Sequence, residues 1–119
     1  MALTYTRQLL NGGSNGKPIS VDATASPGTI IHTVEPTATN AREELYIYAH
    51  LMATSDKRLT LEFGGQASQD AIVQDLTEGD GMHVVVPGLN LTATTSIVRA
   101  YATAGGGEIA ISGWVNRAT

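Results

Sequence analysis

Apolar and polar residues alternate along this chain with a period of two, and no stretch holds a convincing helical period. The cleanest run is Arg58-Leu59-Thr60-Leu61-Glu62-Phe63, which puts Leu59, Leu61 and Phe63 on one face of a strand that Gly64-Gly65 ends. Ile19-Ser20-Val21-Asp22-Ala23 alternates in the same way. Pro27-Gly28 signals a turn, and Thr29 to Val34 reads as a strand stopped by Pro36. Thr37 to Ala41 is a polar connection. Glu43 to Ala53 is the longest uninterrupted candidate. Leu45, Ile47, Ala49 and Leu51 fall on one face, and Tyr46, Tyr48, His50 and Met52 on the other. Both faces are apolar or aromatic, so neither is expected to be freely solvated. Ala49 to Thr54 also admits a helix, but Tyr-Ile-Tyr at 46–48 favours a strand. Thr54 to Lys57 is a polar turn, Ala71 to Leu76 a shorter strand, and Glu78-Gly79-Asp80-Gly81 turns the chain back.

The last third holds three β-branched-rich runs: Met82 to Leu91, Ser96 to Ala102 and Glu108 to Asn116. Gly105 to Gly107 reads as the turn of a hairpin between the second and third. The three are expected to form a meander against which the other strands pack. At the other end, residues 1–18 read as an arm. Tyr5, Leu9 and Leu10 are its apolar points, and Asn11 to Pro18 is rich in backbone freedom. The arm either pairs with the chain's own sheet or reaches a neighbour. About eight strands with frequent turns predict an all-β fold, an antiparallel β-sandwich or jelly roll, with residues 19–119 as its single domain. Without Cys…Trp…Cys spacing, a true immunoglobulin domain is not indicated.

Composition narrows the function. The 119 residues are 42% hydrophobic, ordinary for a folded domain, but only 15% charged, well under the usual ~25%. A polar, weakly charged surface suits large protein contacts, because few ions must be desolvated. A net charge of −4 with seven scattered Lys and Arg argues against nucleic-acid binding. Cysteine is absent, which excludes disulfides and thiolate metal sites. The start of the chain lacks the pattern of a signal peptide, and no apolar run is long enough for a membrane helix.

Chemical motifs are missing. Gly12 to Lys17 only superficially resembles a phosphate loop: its second glycine comes too soon and Pro18 replaces the Ser or Thr that would hold magnesium. His32, His50 and His83 share no ligand spacing, and Asp75, Glu78 and Asp80 lack a calcium-loop pattern. No G-x-S-x-G elbow occurs. Glu43 and Glu44 would face opposite sides of a strand, so they read as a charged strand start rather than a glycosidase pair. Asn90-Leu91-Thr92 fits a glycosylation acceptor, which means little without a secretory signal. Trp114 with Tyr46, Tyr48 and Tyr101 offers a possible sugar-stacking platform. Core or subunit interface is the commoner place for such a tryptophan. No enzyme, cofactor or metal is expected.

Val84 to Leu91, Ile97 to Ala102 and Ile109 to Arg117, preceded by Leu59-Thr60-Leu61-Glu62-Phe63-Gly64-Gly65, resemble the tail of small virion structural proteins of tailed bacteriophages. The resemblance runs from Arg58 onward. It implies a capsid decoration, or cement, protein: a β-rich subunit, often a homotrimer, on the outer capsid surface, clamping neighbouring major capsid proteins without catalysis. The expected interface residues are Tyr5, Arg7 and Leu9 of the arm and Tyr46 and Tyr48 of the two-sided strand. Alternatives are a tail, fibre or head–tail connector component, or a carbohydrate-binding β-sandwich module.

Overall fold

The computed structural model describes residues 4–35, 42–92, 96–102 and 107–118. Among them are nine strands: β1 (Tyr5–Leu9), β2 (Ile19–Ser20), β3 (Thr29–Thr33), β4 (Arg42–Leu51), β5 (Lys57–Phe63), β6 (Ala71–Leu76), β7 (Met82–Leu91), β8 (Ile97–Ala102) and β9 (Ile109–Ala118). One short 3₁₀ turn, Ser68–Asp70, is the only helical element among them. The strands form two antiparallel sheets packed as a sandwich. The first runs β1-β9-β4-β7, with β2 beside β1 along the same edge of β9, and the second runs β3-β8-β5-β6.

Period-two patterning decides which side chains meet between the layers. Along β4, Glu43, Leu45, Ile47 and Ala49 are fully buried and alternate with half-buried Glu44, Tyr46, Tyr48 and His50. From β9, Ile109, Ile111 and Val115 join them; from β7, Val86. The second sheet answers with Ile31, Leu59, Leu61, Leu76, Val98 and Ala100, completing one core. Each fully buried aliphatic side chain contributes about 1.5–3 kcal/mol. Leu59 and Leu61 point inward as their alternation requires, with Phe63 packed on the margin of the core.

Gly113 fixes the pairing of the two central strands. It lies opposite Ile47 with φ +154°, and a Cβ there would fall on the Tyr46 carbonyl oxygen. Only glycine lets β4 and β9 approach closely enough for their ten-residue ladder, Arg42↔Ala118 to Leu51↔Ile109.

The expected C-terminal meander does not form. β7 and β9 both lie in the first sheet, on either side of β4, while β8 lies in the second. The reason is burial. Val98, Ala100 and Ala102 on β8 and Ile109 and Ile111 on β9 each form one apolar face. Side by side in a hairpin, these faces would still lack a covering layer; in opposite sheets they cover each other. Of the proposed hairpin turn, Gly105 and Gly106 lie outside the described residues, as does the Pro36–Ala41 connection. The arm supplies the ninth strand: Tyr5–Leu9 pairs antiparallel with Trp114–Ala118 of its own chain.

Candidate functional site

Two groupings of chemistry-bearing side chains stand out, one on the outer face of the first sheet and one buried at its end. The outer face follows from register. Leu9, Trp114, Tyr46 and Pro87 occupy one row across β1, β9, β4 and β7; Arg7, Asn116, Glu44 and Asn90 form the next. On the other side, Tyr48 pairs with Ser112 and Val84, and His50 with Ala110 and Met82. Trp114 is stacked with Tyr46 at 5.0 Å between ring centroids and 16° between planes, and with Tyr48 at 5.5 Å and 28°. The Arg7 guanidinium lies over the indole, 5.1 Å from the ring centroid. At the rim Arg42 donates to the Tyr5 hydroxyl at 2.8 Å.

The row of polar residues beside the aromatics is already satisfied. Tyr46 Oη donates to Glu44 Oε1 at 2.7 Å, and Asn116 Nδ2 reaches the same oxygen at 3.4 Å. The bond to Glu44, reinforced by burial and by the nearby carboxylate charge, holds the Tyr46 phenol above the ordinary tyrosine range. The face is therefore apolar in character. Tyr5, Leu9, Met82 and Val84 are each more than half exposed on it, and no described element covers them.

Thus the fold gathers Tyr5, Arg7, Leu9, Tyr46 and Tyr48, the five residues expected at an interface, onto one sheet face. Trp114 sits at their centre. Tyr101 does not join them, because β8 belongs to the other sheet. Sequence reading missed Met82 and Val84, whose alternation in a Val-rich run gives no sign of which face stays bare.

The second grouping surrounds Glu43. Its side chain is fully buried at the start of β4, so it is no solvated strand start. Glu43 Oε1 lies 2.6 Å from Nε2 of His32, which is also fully buried, and Oε2 accepts from Arg117 Nε at 2.7 Å. The Asn11 backbone N–H donates to His32 Nδ1 at 3.1 Å, so the ring accepts there and donates from Nε2 to the carboxylate. Glu35 lies 3.7 Å from the Arg117 guanidinium on the solvent side. Each polar atom of this cluster is spoken for by a fixed partner, and no ring nitrogen or carboxylate oxygen opens to a cleft. The arrangement ties the arm, β3, β4 and β9 together. It provides no nucleophile or exposed base. Neither grouping holds three metal-ligating side chains within reach of one ion, among the described residues.

No protein-family model matches this chain, and no curated protein matches it.

Proposed function

We propose that this protein is a non-enzymatic structural subunit of a tailed-bacteriophage virion, a homotrimeric decoration protein on the outer capsid surface. In this reading it stabilises the shell by bridging major capsid proteins. The observation that carries the contact role is the bare outer face of the first sheet. Its rings and aliphatic side chains cluster around Trp114, while its few polar groups already bond one another. A face of this kind gains most from dry contact with protein, where aromatic and Arg anchors dominate binding. The resemblance of the chain from Arg58 onward supplies the virion context. Linkage gives the mechanism: a ligand that binds only the assembled lattice raises the free energy of taking it apart.

The aromatic geometry favours protein contact over sugar binding. A pyranose stacks on an open ring face. Here the rings stack on one another, and the guanidinium of Arg7 lies over Trp114 as well, so the cluster offers edges and aliphatic surface.

The test is direct. Purified protein is added to expanded capsids that lack it, and binding and thermal rupture of the capsids are measured. Wild type is expected to bind and to raise the rupture temperature. The Val84→Asp and Met82→Asp variants alter exposed side chains and are expected to fold but bind at least tenfold more weakly. Failure of the wild type to bind defeats the capsid reading. Gold labelling of intact particles separates the rivals: labels over the whole shell support decoration, whereas labels at one vertex or along the tail indicate a connector or fibre component.

A further inference from the structure

A two-layer sandwich has four lateral strand edges, and each exposes backbone N–H and C=O groups able to recruit another strand. In this fold they are β1 with β2, and β7, in the first sheet, and β3 and β6 in the second. Two of the four are blocked by different devices. Along β3, the Asn11 side chain acts as a substitute peptide. Its amide donates to the Thr33 carbonyl at 2.8 Å and accepts from the Thr33 N–H at 2.7 Å, while Gly12 N–H donates to the Ile31 carbonyl at 2.9 Å. Along β7, Pro87 removes a donor, and two register shifts against β4 twist the strand.

The other two edges carry no such device among the described residues. β1 and β6 have no Pro and no internal register shift, and no backbone hydrogen bond beyond their strand pairings. They lie on opposite flanks. The chain leaves β1 to cap β3, which puts β1 and β3 on one side; a short turn joins β6 to β7 on the other. Their charges are opposite. β1 carries the cation Arg7 and β6 the anion Asp75. Pairing β6 with a second β6 would bring two carboxylates together, and pairing β1 with β1 two guanidiniums. Pairing β1 with β6 joins unlike charges, and the strands are similar in length, five and six residues.

We propose that copies of this chain associate head to tail, the free edge of β1 in one copy adding to the free edge of β6 in the next. Each copy then uses both open edges once, and the succession closes into a ring. This goes beyond the capsid reading and is tested on the isolated protein, so either can fail without the other.

The natural chain has no cysteine, so single thiols can be placed cleanly. Thr6→Cys on β1 and Val73→Cys on β6 both alter exposed positions. A short bismaleimide is expected to link the two variants when they are mixed, and to link neither with itself. A Val73→Cys product formed alone would indicate a two-fold β6 pair and overturn the proposal. So would a monomer in sedimentation at the highest soluble concentration. A second variant, Val73→Lys, puts a charged gatekeeper on the β6 edge. It is expected to convert the assembly to monomer with unchanged circular dichroism; an assembly that survives it also overturns the proposal.

Discussion

Glu43 and Glu44 are neighbours in the chain with opposite environments, and substituting each by Gln separates a buried polar anchor from a surface one. The Glu43 carboxylate accepts two hydrogen bonds, at 2.6 Å opposite His32 and 2.7 Å from Arg117, at a fully buried position. A Gln at 43 keeps one accepting oxygen and turns an NH₂ towards the other donor. One charge-assisted bond is lost, worth about 1.5–3 kcal/mol, and a buried donor is left without an acceptor, which costs about 1–3 kcal/mol more. Breaking a buried ion pair by removing one partner generally costs about 3–5 kcal/mol, so the expected loss is about 3–4 kcal/mol. That is a large share of the ~5–15 kcal/mol that holds a domain together. Glu44→Gln disturbs only the half-buried bonds to Tyr46 and Asn116 and is expected to cost about 1 kcal/mol or less.

Urea unfolding followed by Trp114 fluorescence measures both. With a slope of about 1.5 kcal/mol per molar for a domain of this size, Glu43→Gln moves the midpoint down by about 2 M, and Glu44→Gln by well under 1 M. In a double-mutant cycle, Glu43→Gln with Arg117→Met is expected to cost about 1–2 kcal/mol less than the sum of the single changes, because the two residues share one interaction. Equal midpoint shifts for the two Gln variants would refute the reasoning, since they would mean that burial and pairing at Glu43 carry no special weight.

Gly113→Ala forces a Cβ onto the Tyr46 carbonyl oxygen and is expected to cost more than about 3 kcal/mol or to prevent folding, read from expression and melting temperature. Asn11→Ala frees both backbone groups of Thr33 near the surface and is expected to cost about 1–2 kcal/mol in urea unfolding. The Arg58 guanidinium, bonded to Asp75 at 2.7 Å, holds that carboxyl below the usual aspartate range. A depressed folded value means that the pair's small contribution is present above the ordinary aspartate pKa and lost as pH falls through the depressed one. Carboxyl NMR titration should show a low Asp75 midpoint that rises in Arg58→Gln; an unchanged midpoint removes the pair as its cause. The Tyr46 phenol is held above its ordinary value by Glu44. Here the sign reverses, and the contribution is present below the ordinary tyrosine pKa and lost as pH rises through the elevated one. Ultraviolet titration of Glu44→Gln should show one tyrosine ionising earlier than in wild type.

Strands were legible because one-sided burial prints a period of two, as in Leu59, Leu61 and Phe63 or Leu45, Ile47 and Ala49. The five interface residues were also legible, since Tyr46 and Tyr48 are too apolar for a solvated face and Tyr5, Arg7 and Leu9 share a period of two. Partner choice between strands was not. A one-faced strand looks the same whether its neighbour in the chain pairs beside it or covers it from the opposite layer, and this is how β8 and β9 came to be separated. The His32–Glu43–Arg117 cluster was illegible for a related reason. Its members lie 11 and 74 residues apart and meet only after the sheets are stacked.

The low charge of the sequence acquires a structural meaning once the pairs are placed. Lys57 pairs with Glu108, Arg58 with Asp75, and Arg117 with Glu43 and Glu35, while Arg42 serves the Tyr5 hydroxyl and Arg7 lies over Trp114. Most of the cations therefore have partners within the subunit before any second protein arrives. A partner meeting the outer face of the first sheet displaces little bound water from ions, which removes the largest penalty of polar association. Such a surface binds through area and fit, and it loses little affinity as salt is raised. A nucleic-acid or acidic-peptide binder would lose affinity steeply. Attachment measured across a salt series thus reports on the physical basis of the contact itself, independently of which particle the subunit decorates.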